Sequence, residues 1–532
     1  MMASSTALAS VNLPLHHWAY EAIERLVALG VIDRAMIIPK PYSRKQAAIY
    51  VARAIERIRT DEAPAEGQQA IAEPLLERLL QFLQPELGEQ LGVTSNEQRD
   101  RMRGAVRSEA GEAIRFGGRL QVEGDAFSVG HGTVRLREND MGRYYANGEQ
   151  VRTDFRGWIE LTDALALSID PQYISNAHAL GIGATENNHN AYLQEFNAKL
   201  TLFNIALQVG RSSLWWGPGY NGTLLMSDHH FPLDMLQLGS EEPFRLPWVF
   251  RPLGEWKIQS FLTKLERDRD FPRAQVFGLR ISYLPVDWIE IGLTRLTQFD
   301  GRGHDGKDQY FPAILVNSYL NNTNKGGPFE TNEQAMADFR VRVPSIPYLV
   351  PFPAGMQVYG EYGLEDPPVG IGIVFGVYIP QVLKSSTTDF RIEYADTDIR
   401  RRFQGNSAQW YNNGVRTSGM RYRGFPLGHW MGTDAIDLFT RTTSFLTDDI
   451  QLGANVDFYE RDRGKPVHEK GHEAGLDLTW WLSNQIQITA GYTFQRIHNP
   501  GQITSMTPFI ETFAGGVTSN NHFLWTNLTV EF

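Results

Sequence analysis

From residue 114 onward, apolar and polar residues alternate. Ile450, Leu452, Ala454, Val456 and Phe458 are separated by Gln451, Gly453, Asn455 and Asp457. Ile486, Ile488, Ala490, Tyr492 and Phe494 are separated by Gln487, Thr489, Gly491 and Thr493. A period of two sets one strand face in an apolar medium and the other in a polar one. Before residue 113 the period is helical. Ile23, Leu26, Val27 and Gly30 recur at 3.6-residue spacing, and Ala47, Ile49, Val51, Ala52 and Ile55 follow it more loosely. Leu75, Leu76, Leu79, Leu80 and Leu83 predict a further helix, with Pro74 placed in its first turn. Residues 61–69 read as a linker between helices.

Soluble antiparallel sheets also alternate, so the punctuation decides. Leu161-Thr-Asp-Ala, Leu284-Pro-Val-Asp, Leu446-Thr-Asp-Asp and Leu482-Ser-Asn-Gln each join two alternating runs. Between such hairpins lie longer polar segments, 171–190, 298–337, 401–433 and 496–521. Short turns on one side and long loops on the other mark a membrane barrel. Trp158, Tyr173, Trp256, Tyr283, Trp288, Trp480, Trp481 and Trp525 stand at run ends, where interfacial girdles form. The chain ends in Phe532, with Val530, Leu528 and Leu524 on the same face. The prediction is a mainly β fold: a transmembrane antiparallel β-barrel of about 18 strands with a small N-terminal α-helical domain. With both termini in the periplasm, every short turn is periplasmic and the Trp-rich loop after residue 211 is extracellular. The competing fold is a secreted sandwich or propeller, for which no blade-length repeat is present.

Composition enters as a check. The chain of 532 residues has no cysteine, which excludes a disulfide scaffold and Cys-ligated metal centres. Fifty basic against 61 acidic side chains argue against nucleic acid as a partner. Mean hydropathy is −0.32 and no long apolar run occurs. Such an average is blind to a period of two, because a polar lumen cancels an apolar belt. Of 12 Trp, 20 Tyr and 29 Phe, only five rings precede residue 114. The expected organisation is a signal-peptide remnant or disordered terminus at 1–10, a helical domain at 11–60, a helical linker region at 61–113 and the barrel at 114–532.

The most unusual segment runs from Gly210 to Gly222 and contains Arg211, Trp215, Trp216, Gly217-Pro218-Gly219, Tyr220 and Asn221. Asp228-His229-His230 and Pro243-Phe244-Arg245 follow. Flat rings stack on the C–H faces of sugars, and Arg, Asn and Asp bond hydroxyls. The alternative is that both tryptophans belong to a girdle and the glycines merely turn the chain. Asp228 with the paired histidines is a weak metal candidate, since adjacent loop histidines point apart. Ser227 beside them hints at a hydrolase, but no Gly-x-Ser-x-Gly elbow is present. Asp300, Asp305 and Asp308 lack EF-hand spacing. The run Glu266 to Asp270 and the cluster Arg400-Arg401-Arg402 read as solvated loop charges, the latter able to attract acidic glycan or lipopolysaccharide phosphate.

Gly210-Arg211, Trp216-Gly217-Pro218-Gly219 and Leu224-Leu225-Met226-Ser227 resemble the signature region of the Wzi family of capsule-assembly proteins. The resemblance covers residues 114–532 in outline and is sharp from 210 to 254. It implies an occluded eighteen-stranded outer-membrane barrel with helices on the periplasmic side, which holds capsular or extracellular polysaccharide without catalysis or cofactor. The candidate glycan contacts are Arg211, Trp215, Trp216, Tyr220, Asn221, Asp228 and Arg245. His17-Trp18-Ala19, Ile23, Leu26, Gly30-Val31-Ile32, Pro41 and Ser43-Arg44 resemble one S-layer-homology repeat. That resemblance implies peptidoglycan as a further partner, through Trp18 and Arg44, besides outer-membrane lipid and lipopolysaccharide. The alternative function on the same fold is a substrate-selective porin lined by Arg280, Glu290, Arg340, Arg342, Glu361 and Arg391.

Overall fold

A computed structural model describes residues 9–59, 66–84, 86–87, 106–107, 113–131, 134–136, 138–161, 164–175, 190–303, 331–346, 348–365, 370–384, 386–397, 410–506 and 509–532. Its main body is a closed barrel of 18 antiparallel strands. In chain order they are β1 Ala113–Ser128, β2 Gly148–Glu160, β3 Leu165–Ile174, β4 Ala191–Leu202, β5 Ile205–Ser212, β6 Leu233–Ser240, β7 Glu255–Lys264, β8 Gln275–Val286, β9 Ile289–Phe299, β10 Asn332–Val343, β11 Met356–Glu365, β12 Gly370–Ile379, β13 Phe390–Asp396, β14 Ile436–Thr447, β15 Ile450–Arg461, β16 Glu469–Trp481, β17 Ile486–His498 and β18 Thr518–Glu531. Each pairs with its chain neighbour, and β18 closes on β1 with Trp525 opposite Asp125. Closure leaves no sheet edge, the condition for crossing lipid with strands.

Alternation fixes the faces. On β15, Leu452, Val456 and Phe458 are exposed, whereas Asp457 and Tyr459 are buried in the lumen. The four short turns named above all lie at the end that carries β1's start and β18's finish. The Trp-rich loop lies at the other end, as the even strand count requires. Period two also sorts the aromatics. Tyr173, Trp288 and Trp480 are exposed on the outside, and Trp256 stacks on Tyr283 there with ring centroids 4.2 Å apart. Trp158, Trp481 and Trp525 instead point inward, a correction to the girdle expectation. Trp480 and Trp481 are neighbours, so they necessarily face opposite sides.

Three helices occupy the periplasmic mouth: α1 Trp18–Ala28, α2 Arg44–Arg59 and α3 Glu66–Phe82. The His17 imidazole accepts the Ala19 N–H at 3.2 Å and caps α1. Ile23, Leu26, Val51 and Leu79 are fully buried among the helices. Pro74 lies inside α3 rather than in its first turn. The helix begins earlier than the leucine pattern indicates, because polar Gln68 and Gln69 continue it.

The helical unit sits within the barrel and is bound to its wall. Ile37 and Ile38 N–H groups donate to the Glu290 carboxylate at 3.1 and 3.2 Å. Arg25 donates to the Pro380 carbonyl at 3.1 Å, and Lys199 of β4 donates to Asn12 at 2.9 Å. His17 meets Glu531 of β18 at 2.7 Å. From the opposite mouth, segments 213–232 and 410–435 fold inward. They build a second core of Trp216, Leu224, Met226, Trp410, Leu427 and Met431 against β6–β13.

Candidate functional site

The two plugs meet. Pro39–Lys40, between α1 and α2, pairs as an antiparallel ribbon with Trp215–Trp216 of the extracellular loop. The Trp-Trp pair is therefore neither a girdle nor a surface platform. Trp216 is 1% exposed and its ring lies 5.3 Å from Phe261 of β7. Trp215 donates its indole N–H to the Gly219 carbonyl at 3.1 Å, folding the loop back on itself.

The Gly-Pro-Gly turn explains its own composition. A Cβ on Gly217 would collide with Thr223 and Glu361, and one on Gly222 with the His429 ring. Close backbone approach is the reason for glycine here. The turn's N–H groups need acceptors, and two wall carboxylates supply them. Glu361 of β11 accepts from Gly219 N at 3.0 Å and Leu224 N at 2.7 Å. Glu393 of β13 accepts from Tyr220 N at 2.6 Å, Asn221 N at 2.8 Å and the Tyr359 hydroxyl at 2.8 Å. Asn221 donates to Asp437 at 2.9 Å, and the Tyr220 hydroxyl donates to Glu21 of α1 at 2.9 Å. Charged acceptors for buried N–H groups are among the stronger hydrogen bonds. The segment 217–224 thus locks wall, helices and loop together.

Beside this lock lies a cavity of about 590 Å³. Trp215, Tyr220, Asn221 and Asp228 line it, along with Trp18 and the inward residues of β15–β18. Gln451, Asn455, Thr489, Gln495 and Asn527 supply amides and hydroxyls there, and Trp481 and Trp525 supply ring faces. Asp228 bonds His16 at 2.5 Å. Burial opposes charge on this imidazole, and the Asp228 carboxylate outweighs burial and raises its pKa.

Four of the seven candidate glycan residues are therefore brought together, and Trp216 lies behind them in the core. Two stand apart. Arg211 is at the outer rim of β5, held by Asp234 at 2.8 and 3.1 Å. Arg245 is at the opposite, periplasmic end, 3.5 Å from Glu255. Trp18 packs against Phe82 at 5.6 Å. Arg44 donates to Glu86 at 2.6 Å and to the Phe82 carbonyl at 2.7 Å.

The histidines beside Asp228 point apart. His230 shares a hydrogen bond with the Phe231 carbonyl at 2.6 Å, and His229 meets Phe425 edge-on. Burial pushes His230 down to about 4 and His229 well below the usual imidazole value. Among the described residues, no group of three or more His, Asp or Glu could hold a metal. Ser227 is fully buried and donates to the Gly428 carbonyl at 2.6 Å. Arg269 is not a solvated loop charge: it is buried and donates to the carbonyls of Arg421 at 3.0 Å and Gly419 at 2.9 Å, pinning the second inner loop. Asp300 accepts from Gln275 at 2.9 Å. Asp305, Asp308 and Arg400-Arg401-Arg402 lie outside the described residues.

The porin candidates are inward, and all but Arg280, which is paired within the wall, meet the plugs. Arg280 pairs with Asp338 at 2.7 and 2.9 Å. Arg340 donates to Ala35 O at 2.9 Å and to Glu290 at 3.0 Å. Arg391 pairs with Glu24 at 2.8 Å and lies over the Tyr220 ring. The Arg342 guanidinium stands so close to Gly30 that a side chain there would collide with it. Sequence reasoning missed Glu393 and Asp437 as loop acceptors. Their inward parity on alternating strands was legible, but nothing local to either residue names its partner.

The chain is 26% identical over 241 residues to an uncharacterized 55.8 kDa protein in the cps region of Klebsiella pneumoniae. That match covers 44% of this chain and 42% of the relative, so it spans less than half of the relative's length. Its structure is similar to that of Escherichia coli Wzi, an outer-membrane protein involved in group 1 capsule assembly and a carbohydrate-binding β-barrel. The TM-score is 0.67 at 16% identity, covering 98% of this chain and 99% of that one, a likeness of fold. The family model for the capsule assembly protein Wzi matches residues 123–505. That is well over half of the chain, which belongs to the Wzi family of capsule-assembly proteins.

Proposed function

We propose that this outer-membrane barrel binds surface polysaccharide and assists capsule or exopolysaccharide assembly and attachment, without catalysing a reaction. The observation that carries this reading is the doubly plugged lumen. Helices enter from one mouth, loops from the other, and the Lys40–Trp215 ribbon joins them. Plugs from both mouths obstruct the lumen, which favours a role in retention over transport. The E. coli relative's carbohydrate binding supports the same reading.

In this reading the polymer meets the cavity lined by Trp215, Tyr220, Asn221 and Asp228. Its ring faces and amides match the two surfaces of a sugar, and its volume of about 590 Å³ suits a few residues of a chain. Many weak contacts along a polymer sum through multivalency, so retention rises with chain length. Buried Ser227 presents no nucleophile to such a chain.

The test is deletion of the gene followed by capsule staining. Polymer should appear in the medium while its synthesis continues; capsule retained on the cell would overturn the proposal. Single-channel recording separates the porin alternative: a steady open conductance would favour the porin and count against a plugged polysaccharide anchor.

A further inference from the structure

The periplasmic turns on one side of the barrel display aromatic rings on strained backbone. Phe203, between β4 and β5, is 93% exposed at φ 49°. Trp248, between β6 and β7, is 90% exposed at φ 58°, and Tyr348, between β10 and β11, is fully exposed at φ 67°. A bulky non-glycine residue in the left-handed region is an outlier that surrounding structure must hold in place. Here the three rings stand outward at the periplasmic ends of the strands. Trp248 opens a short 3-10 helix, Trp248–Leu253, in which Val249, Phe250 and Leu253 are also exposed.

Next to this helix is a pocket of about 430 Å³ whose lining includes Arg34, Arg245, Arg251, Glu255, Asp287 and Trp288. Arg34 reaches it from the helical unit and pairs with Asp287 at 2.8 Å. Arg245 and Arg53 share Glu255, each at 3.5 Å. Arg251 has no carboxylate partner among the described residues. Three guanidinium groups and two carboxylates thus line the pocket, with Arg53 adding a fourth guanidinium beside Glu255, at a place where exposed apolar side chains adjoin the lipid-facing surface of β7 and β8.

We propose that this pocket binds an anionic phospholipid of the inner leaflet. Its phosphodiester lies among Arg34, Arg245 and Arg251, and its acyl chains run along Trp248, Val249, Phe250 and Leu253. Guanidinium forks match phosphate oxygens. Aromatic rings at headgroup depth anchor the turn. A free phosphate would use the arginines and leave the apolar helix without a partner, so the lipid is the occupant that accounts for both features. The site is independent of polysaccharide binding.

The test is native mass spectrometry of the full chain released from detergent with added phosphatidylglycerol, phosphatidylethanolamine or inorganic phosphate. Phosphatidylglycerol should be retained over phosphatidylethanolamine. Arg245→Gln with Arg251→Gln should weaken that retention by about fivefold per arginine. Trp248→Ser with Phe250→Ser should also weaken it. Heat-modifiable gel migration verifies that each variant is folded. Equal retention of the two lipids overturns the proposal, and so does retention that both double variants leave unchanged. Loss in the arginine variant alone, with inorganic phosphate competing, assigns a free-phosphate site and overturns the lipid.

Discussion

The two halves of the lumen are built differently. Along β6–β13 the extracellular half of the wall packs against apolar loop residues, while Arg340, Tyr359 and Arg391 nearer the periplasm reach the cavity. Gly363 and Gly372 of that wall make room for the Trp410 ring and for Leu224; a Cβ on Gly363 would sit 2.5 Å from Trp410. Along β15–β18 and β1 the wall meets the cavity. Its glycines accommodate wall residues instead, as Gly491 does for the Trp525 ring. One half is a fixed seal in which shape matters to a single methyl group. The other turns amides, hydroxyls and the Trp481 and Trp525 indoles toward the cavity. The apolar seal therefore rests on one wall, and most of the cavity's amides and hydroxyls come from the other.

Two tryptophans set this contrast most sharply. Trp216→Ala empties a fully buried site against Phe261, and such truncations cost about 3–5 kcal/mol. Trp525→Ala removes a ring that faces the cavity and should cost well under half of that. Thermal unfolding, with limited proteolysis of segment 213–232, compares them. Equal losses would show that the cavity wall is as packed as the seal.

The next effect comes from the carboxylate lock. Glu361→Gln turns one acceptor into a donor facing the Gly219 or Leu224 N–H, which leaves a buried donor unmet and costs about 1–3 kcal/mol. Faster cleavage within 213–232, with the barrel still heat-modifiable, is the expected result. Gly372→Leu attacks the seal from the wall side, since its Cβ would begin 3.2 Å from both Leu224 and Trp410. Overpacking costs about 1–3 kcal/mol, and displacement of the inner loops should produce channel openings that the wild type lacks. A silent variant would mean that the seal does not depend on this contact.

The fold was legible because strands announce themselves by parity. Ile486 to Phe494 names its lipid face and its lumen face without any other residue, and short turns against long loops orient the barrel. The site was legible as chemistry but not as location. Trp215 and Trp216 read equally as a girdle or as a sugar platform, because their packing comes from Lys40 and Phe261, distant in sequence. Arg245 follows the motif closely in the chain, yet one strand crossing carries it to the other side of the membrane. Inward charges such as Arg340 and Glu290 look like channel lining until the backbone that they bind, at Ala35 and Ile37, is placed inside the barrel. Long-range partners of this kind leave no local pattern.

The smallest effect tests the contact between helical segment and loop through protons. His16, half exposed on the cavity wall, bonds Asp228 at 2.5 Å. Burial disfavours its charge, but the Asp228 carboxylate prevails and raises its pKa above the ordinary value of 6.5. A raised imidazole contributes stability that is fully present below its unfolded value and is lost as pH rises through its folded value. The pair should therefore hold the loop more firmly at pH 6 than at pH 8, by less than about 1 kcal/mol given its exposure. His17 runs the other way: burial outweighs Glu531 and lowers its pKa, so its contribution is present above 6.5 and fades on acidification. The buried imidazoles of His229, His230 and His429, all held neutral, share that opposite sign. The difference between the wild type and His16→Gln isolates the single pair from these four. Hydrogen exchange over residues 226–230 should be slower at pH 6 in the wild type, after correction for intrinsic rates, and the variant should lose that protection while keeping the reverse trend of the buried imidazoles. If both proteins show the same pH profile, the helical segment is held to the loop by the Lys40–Trp215 ribbon and the Tyr220–Glu21 hydrogen bond rather than by this pair.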